Sequence, residues 1–199
     1  GGIHCGIRKN RSKRDLAFIL AEKSCAAAGV FTTNKVKGAP VWVTMKHLAN
    51  HTARAVIVNS GNANTCTADG IEKAEQMCAL MAETFSIPAD EVIVASTGVI
   101  GQTLPIEPII KGVVAAPSIL SKEGSDLAAE AIMTTDLTKK TLAIEFTLGG
   151  ETVRMGGDRQ GQRDDSSQHG HHALLCHHRR GDRPVNAAKG RFHRGCRYF

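Results

Sequence analysis

Three short segments carry residue types able to do chemistry. Ser96-Thr97-Gly98 follows an apolar run of strand length. A small hydroxyl residue followed by glycine leaves backbone N–H groups open to an oxyanion, and the Thr97 hydroxyl can donate as well. Met133-Thr134-Thr135-Asp136 follows a short helical pattern. Hydroxyls at a helix end can bind a substrate carboxylate or amide. Asn59-Ser60-Gly61-Asn62-Ala63-Asn64 is dense in amides beside a second apolar run. Each segment also reads as ordinary punctuation, because Gly, Ser, Thr, Asn and Asp mark turns and helix ends. The sequence has no Walker loop, no G-x-G-x-x-G, no H-E-x-x-H and no G-x-S-x-G.

These segments need elements to position them. Residues 15–20 are a short apolar run of strand length, and 40–44 alternate like a strand. Residues 54–59 and 91–95 read as strands buried on both faces. The clearest helix begins near Ile71, with Ile71, Ala74, Cys78, Met81 and Phe85 on one face. Asp69 or Thr67 can cap its start, and Pro88 stops it. A second helix is expected over about 106–122 with Pro117 as a break, and a third over 126–133. Segments 141–148 and 151–155 flank Gly149-Gly150, a hairpin signal. Strands and helices mix without strict alternation, so the fold class is α+β, or mixed α/β. No internal repeat is visible.

The chain has 199 residues, enough for one domain with a sizeable core. At 42% hydrophobic and 22% charged, its composition excludes collagen, coiled coil and wholesale disorder. No apolar run approaches the roughly 18 residues of a membrane-spanning helix. The chain starts at Gly1 without a signal peptide and is expected to be a fragment or a processed product of a cytoplasmic protein. The six cysteines (5, 25, 66, 78, 176, 196) include no C-x-x-C and read as free thiols, with Cys25 and Cys78 as small buried hydrophobes.

The net charge of +6 is unevenly placed. Residues 158–199 hold 9 Lys+Arg and 4 Asp, a net of +5, which leaves +1 for residues 1–157. The basic character therefore belongs to the last 42 residues, and the whole-chain pI of 9.1 misleads about the body. Two domains are expected: an incomplete body, 1–157, and a basic His/Arg-rich tail, 158–199.

Five stretches of the body, taken in order, resemble the ornithine acetyltransferase/glutamate N-acetyltransferase family of arginine biosynthesis. They are Gly6-Ile7 to Asp15-Leu16-Ala17, Ala28-Gly29-Val30-Phe31-Thr32-Thr33-Asn34, Val58-Asn59-Ser60-Gly61-Asn62-Ala63-Asn64, Val94-Ala95-Ser96-Thr97-Gly98-Val99-Ile100-Gly101 and Ala131-Ile132-Met133-Thr134-Thr135-Asp136. The resemblance covers about residues 2–157 and implies the alpha-chain part of that family's fold. It implies acetyl transfer from N-acetylornithine to glutamate, with some members also using acetyl-CoA. It assigns Thr97 and Gly98 to the oxyanion hole and Thr134 to a substrate contact, with no metal and no cofactor. Family precursors cut themselves before a Thr in K-G-S-G-M-I-x-P-N-M-A-T-M-L. That Thr heads a second chain and accepts the acyl group, with its own amine as base. Alpha and beta chains then form heterotetramers.

After Gly156-Gly157 this chain departs from the pattern. It reads Asp158-Arg-Gln-Gly-Gln-Arg-Asp-Asp-Ser-Ser-Gln-His169, so the nucleophilic Thr and the beta chain are absent. A frameshift accounts for this. With synonymous codons chosen for 158–199 and reading begun one base later, the chain can continue I-A-K-G-S-G-M-I-H-P-N-M-A-T-M-L, the missing motif in register. A shifted frame leaves a tail never selected for a core, so 158–199 is expected to be disordered or poorly packed, with fast amide exchange. The polypeptide itself is then expected to be inactive and poorly soluble. The alternative is a non-enzymatic product. His169, His171, His172, Cys176, His177 and His178 could bind Zn²⁺ or Ni²⁺ opportunistically, and eight Arg could contact nucleic-acid phosphate weakly and without specificity. No membrane partner is expected.

Overall fold

The structure, a computed structural model, describes residues 1–161 and the strand 173–179. The chain divides into two compact units, Gly1–Thr135 and the residues from Asp136 on. That division follows packing, and it precedes the composition change at Gly157.

The first unit is built on a four-stranded sheet in the order β1-β2-β3-β4. The strands are β1 (Gly2–Ile3), β2 (Leu16–Ala26), β3 (Thr52–Asn62) and β4 (Val92–Val99). β1 pairs β2 and β2 pairs β3 antiparallel, whereas β3 and β4 run parallel. A parallel pair needs a crossover, and the helix α2 (Gly70–Phe85) supplies it. Both expected buried strands form, each longer than its apolar run, because polar residues at their carboxyl ends stay in the ladder. The core gathers Leu16, Phe18, Ile57, Met77, Met81 and Ile109.

Helix α2 buries Ala74, Met77, Cys78 and Met81. Ile71, expected on that face, is exposed, and Met77 replaces it. The expected side-chain cap is also not made: Asp69 is the N-cap residue but makes no side-chain capping bond. At the other end Ser86 adopts φ 51°, and the Ile87 N–H reaches back to the Ala82 carbonyl at 3.0 Å. This is a Schellman-type closure with Pro88 just beyond it.

Residues 40–44 were expected to alternate as a strand, yet they lie in helix α1 (Ala39–His47). Pro40 sits in the first turn, where its missing N–H costs nothing. The inward residues are Pro40, Val43, Thr44 and His47, a helical spacing whose polar members hid it from a hydrophobic count. Helix α3 (Ile106–Ile119) runs through Pro117 instead of breaking there. A proline this close to the end removes one late hydrogen bond and no more. Helix α4 (Ser125–Ala131) is the third expected helix, two residues shorter at its end.

The second unit contains β5 (Lys140–Leu148), β6 (Glu151–Gln160) and β7 (Ala173–Arg179), all antiparallel, in the order β5-β6-β7. The hairpin turns at Gly149 and Gly150, with φ 61° and 83°, as the sequence predicts. The expected tail begins inside β6, and its residues 173–179 are paired in β7. Ladder bonds use only backbone groups, so pairing does not require a sequence selected for a core. Residues 162–172 and 180–199 of that tail lie outside the described residues. Among the described residues, no helix is long and apolar enough to cross a membrane.

Candidate functional site

The carboxyl ends of the two parallel strands lie side by side. Ser60 is in register with Thr97, and Gly61 with Gly98. Ser96-Thr97-Gly98 therefore belongs to β4 itself, and not to a turn after it. Gly98 has φ +135°, and a Cβ there would stand 2.3 Å from the Gly61 carbonyl carbon. Only glycine permits that approach.

β4 is an edge strand, and its outward backbone groups divide into two sets. Helix α1 covers the first. The Thr44 hydroxyl donates to the Val94 carbonyl at 2.7 Å and accepts from the Val94 N–H at 3.2 Å. His47 Nδ1 lies 2.8 Å from the Val92 carbonyl; since a carbonyl only accepts, Nδ1 carries the proton. Backbone groups alternate sides along a regular strand, and the bonds from α1 to β4 fall at Val92 and Val94. The Val99 carbonyl keeps the alternation by turning to the Ala63 N–H at 2.8 Å. Gly98 is exposed near the end of this edge strand, with the half-buried Thr97 beside it. One backbone donor and one hydroxyl at such a place can stabilise a developing oxyanion.

Thr134 is brought to the same end of the sheet through two ties. The Ser60 hydroxyl donates to the Ala131 carbonyl, and the Arg8 guanidinium donates to the Met133 carbonyl. Thr134 itself is half-buried. Its motif neighbour Asp136 starts the second unit, where it pairs with Lys140 and accepts from the Gly161 N–H at 3.1 Å.

The amide-rich segment does structural work. Asn59 is fully buried; its Nδ2 donates to the Asn62 carbonyl at 2.8 Å and its Oδ1 accepts from the Ser96 hydroxyl. Asn62 Nδ2 donates to the Gln102 carbonyl at 3.0 Å, and Asn64 Nδ2 to the Gly70 carbonyl at 2.8 Å. These bonds lock the ends of β3 and β4 and the entry to α2. Sequence reasoning did not single out Arg8 or the carboxylate of Asp15. The Asp15 side chain is buried and accepts from the backbone N–H groups of Cys5 (2.6 Å), Gly6 (3.2 Å) and Arg8 (2.9 Å). No local period signals either residue. The side chains of the tail's His and Cys residues lie outside the described residues.

A model of the ArgJ family matches residues 1–162. The chain belongs to that family. It is 45% identical over 161 residues to the arginine biosynthesis bifunctional protein ArgJ of Caldanaerobacter subterraneus subsp. tengcongensis, covering 80% of this chain and 40% of that protein. It is 45% identical over 184 residues to the glutamate N-acetyltransferase of Methanocaldococcus jannaschii, covering 88% of this chain and 46% of that protein. The chain thus spans less than half the length of these ArgJ-family relatives. Among solved structures, the ArgJ protein of Bacillus halodurans matches with TM-score 0.76 and 39% identity, over 86% of this chain and 88% of that one. The ornithine acetyltransferase of Mycobacterium tuberculosis, solved with ornithine, matches with TM-score 0.73 and 34% identity, over 87% of this chain and 91% of that one. The mixed helix-and-sheet fold is thus that of the ArgJ family, and the matched region is the N-terminal, alpha-chain part.

Proposed function

We propose that this chain is the alpha-chain part of an acetyltransferase of arginine biosynthesis whose nucleophile has been lost to a shifted reading frame. In the intact enzyme, acetyl moves from N-acetylornithine, or acetyl-CoA, to glutamate through an acyl-threonine intermediate. The threonine hydroxyl attacks the acetyl carbonyl, and the carbonyl oxygen gains negative charge. The Gly98 N–H and the Thr97 hydroxyl donate to that oxygen, and Thr134 contacts the substrate. Removing one donor of this kind costs an acyl transferase about a hundredfold or more in rate. The alpha part assembles with a beta chain into heterotetramers in the cytoplasm.

The observation that carries the site is the close approach of Gly98 to Gly61 on the edge strand β4, at an exposed position that only glycine can occupy. What supports the lost nucleophile is the sequence after Gly157, which lacks K-G-S-G-M-I-x-P-N-M-A-T-M-L and, with synonymous codons chosen, is compatible with that motif one base out of register. The family match also ends at residue 162 of 199. Without the threonine there is no acyl acceptor, so the 199-residue chain does not turn over.

The test is direct. The purified chain is incubated with N-acetylornithine and labelled glutamate, beside the product of a gene with one base deleted at codon 158. Labelled N-acetylglutamate from the second protein alone is the expected result. Label transferred by the 199-residue chain overturns the lost nucleophile. Silence from the repaired protein overturns the reaction class. Sequencing codons 154–162 in related genomic copies checks the frame independently.

A further inference from the structure

We propose that Arg8 is a positioning residue of this site: it fixes the spacing between the Thr97–Gly98 edge and Thr134. The inference rests on the reading of those three residues given above. The aliphatic stem of Arg8 runs over Gly61, where an added Cβ would lie 2.9 Å from Arg8 Cγ. Gly61 is the register partner of Gly98. From that point the guanidinium reaches across to the Met133 carbonyl, the residue before Thr134. One side chain thus spans the two parts of the site.

Both ends of this strut are anchored. At its root, the Asp15 carboxylate accepts from the backbone N–H groups of Cys5, Gly6 and Arg8 itself, so the segment carrying Arg8 cannot swing. Asp15 is held in turn, because its backbone carbonyl accepts from the Ser60 N–H at 2.8 Å. At its tip, the acceptor is the Met133 carbonyl, two residues past the end of α4. The Ser60 hydroxyl makes a parallel tie to Ala131. Ser60 fixes where α4 ends, and Arg8 fixes the two residues that follow. Removing the guanidinium takes away the tie between this loop and the segment packed over Gly61, while the helix end keeps its own bonds, such as Met133 N–H to the Glu130 carbonyl at 3.2 Å.

The measurement is residue-resolved amide exchange on the 199-residue chain and its variants R8M and R8K. Met keeps the stem and removes the donors; Lys restores a single charged donor. R8M is expected to raise exchange at residues 132–135 about tenfold, to shift the Gly98 and Thr134 amide resonances, and to leave Ile57 and Val94 unchanged. R8K is expected to bring loop exchange most of the way back. Unchanged loop exchange in R8M overturns the proposal. So does an equal rise across β3 and β4, loss of the folded spectrum, or failure of R8K to improve on R8M, because Arg8 would then hold the fold or merely pack. The readout needs no turnover, so failed acetyl transfer in the repaired protein leaves it standing.

Discussion

Burial sets the chemistry of the cysteines one by one. The Cys78 thiol is 1% exposed on the inner face of α2, and burial, helped by the nearby Glu75 charge, pushes its pKa up to about 12. Cys5 is also pushed up, first by burial and then by the Asp15 carboxylate. Cys25, expected to be buried, is exposed because it lies in the outer half of β2, and Cys66 is exposed as well. Because the thiolate is the reactive form, a maleimide or iodoacetamide at pH 8 should label Cys25 and Cys66 of the native chain and spare Cys5 and Cys78. The sign of the pH effect follows from the same shift. The unfolded Cys78 thiol ionises near 9 and the folded one near 12, so the unfolded state loses its proton first. The stability that Cys78 contributes is complete below pH 9 and is lost as pH rises towards 12. A Cys78→Ala variant should therefore show a shallower alkaline fall in its urea midpoint than the parent. Equal slopes would remove Cys78 as a cause.

Helix α1 acts on the element beside it more than on the core. Its Thr44 and His47 occupy the outward backbone groups at the start of β4, while the later Gly98 is exposed. One helix thus protects half an edge strand from unwanted pairing and leaves the other half available for chemistry. Thr44→Val preserves shape and strips both bonds from Val94. Two buried backbone groups then lack partners, and the expected loss is about 2 kcal/mol in urea denaturation. Thr44→Ser, which keeps the hydroxyl, should recover most of it. Equal midpoints for Thr44→Val and the parent would show that the helix covers this edge by packing alone.

At the scale of the whole molecule, the second unit presents an apolar face. Leu142, Ile144, Phe146 and Leu148 alternate along β5 and share one side, all of them exposed. β5 is also an edge of its sheet. A contiguous apolar surface on an edge strand favours association between molecules. The double substitution Leu142→Lys with Phe146→Lys should lower light scattering at a fixed concentration and leave the melting of the first unit unchanged. Scattering that stays the same would locate the association elsewhere.

Much of this protein was legible in its residues. Strands at 54–59 and 91–95, the helix after Asp69 and the hairpin at Gly149-Gly150 all follow from short-range rules: apolar runs, a 3.6-residue period and glycines that accept positive φ. The ordered motifs around Asn59, Thr97 and Thr134 were enough to reach the family. Other features were decided by tertiary structure alone. Residues 40–44 became helix because inward polar side chains found partners on β4, which no hydrophobic count registers. Gly98 met Gly61 only once two parallel strands had paired, and Arg8 met Met133 across 125 positions of sequence. Local patterns report what a residue does to its neighbours in the chain. Contacts closed through space leave no spacing to read, because the folded sheet and not the sequence interval sets their distance.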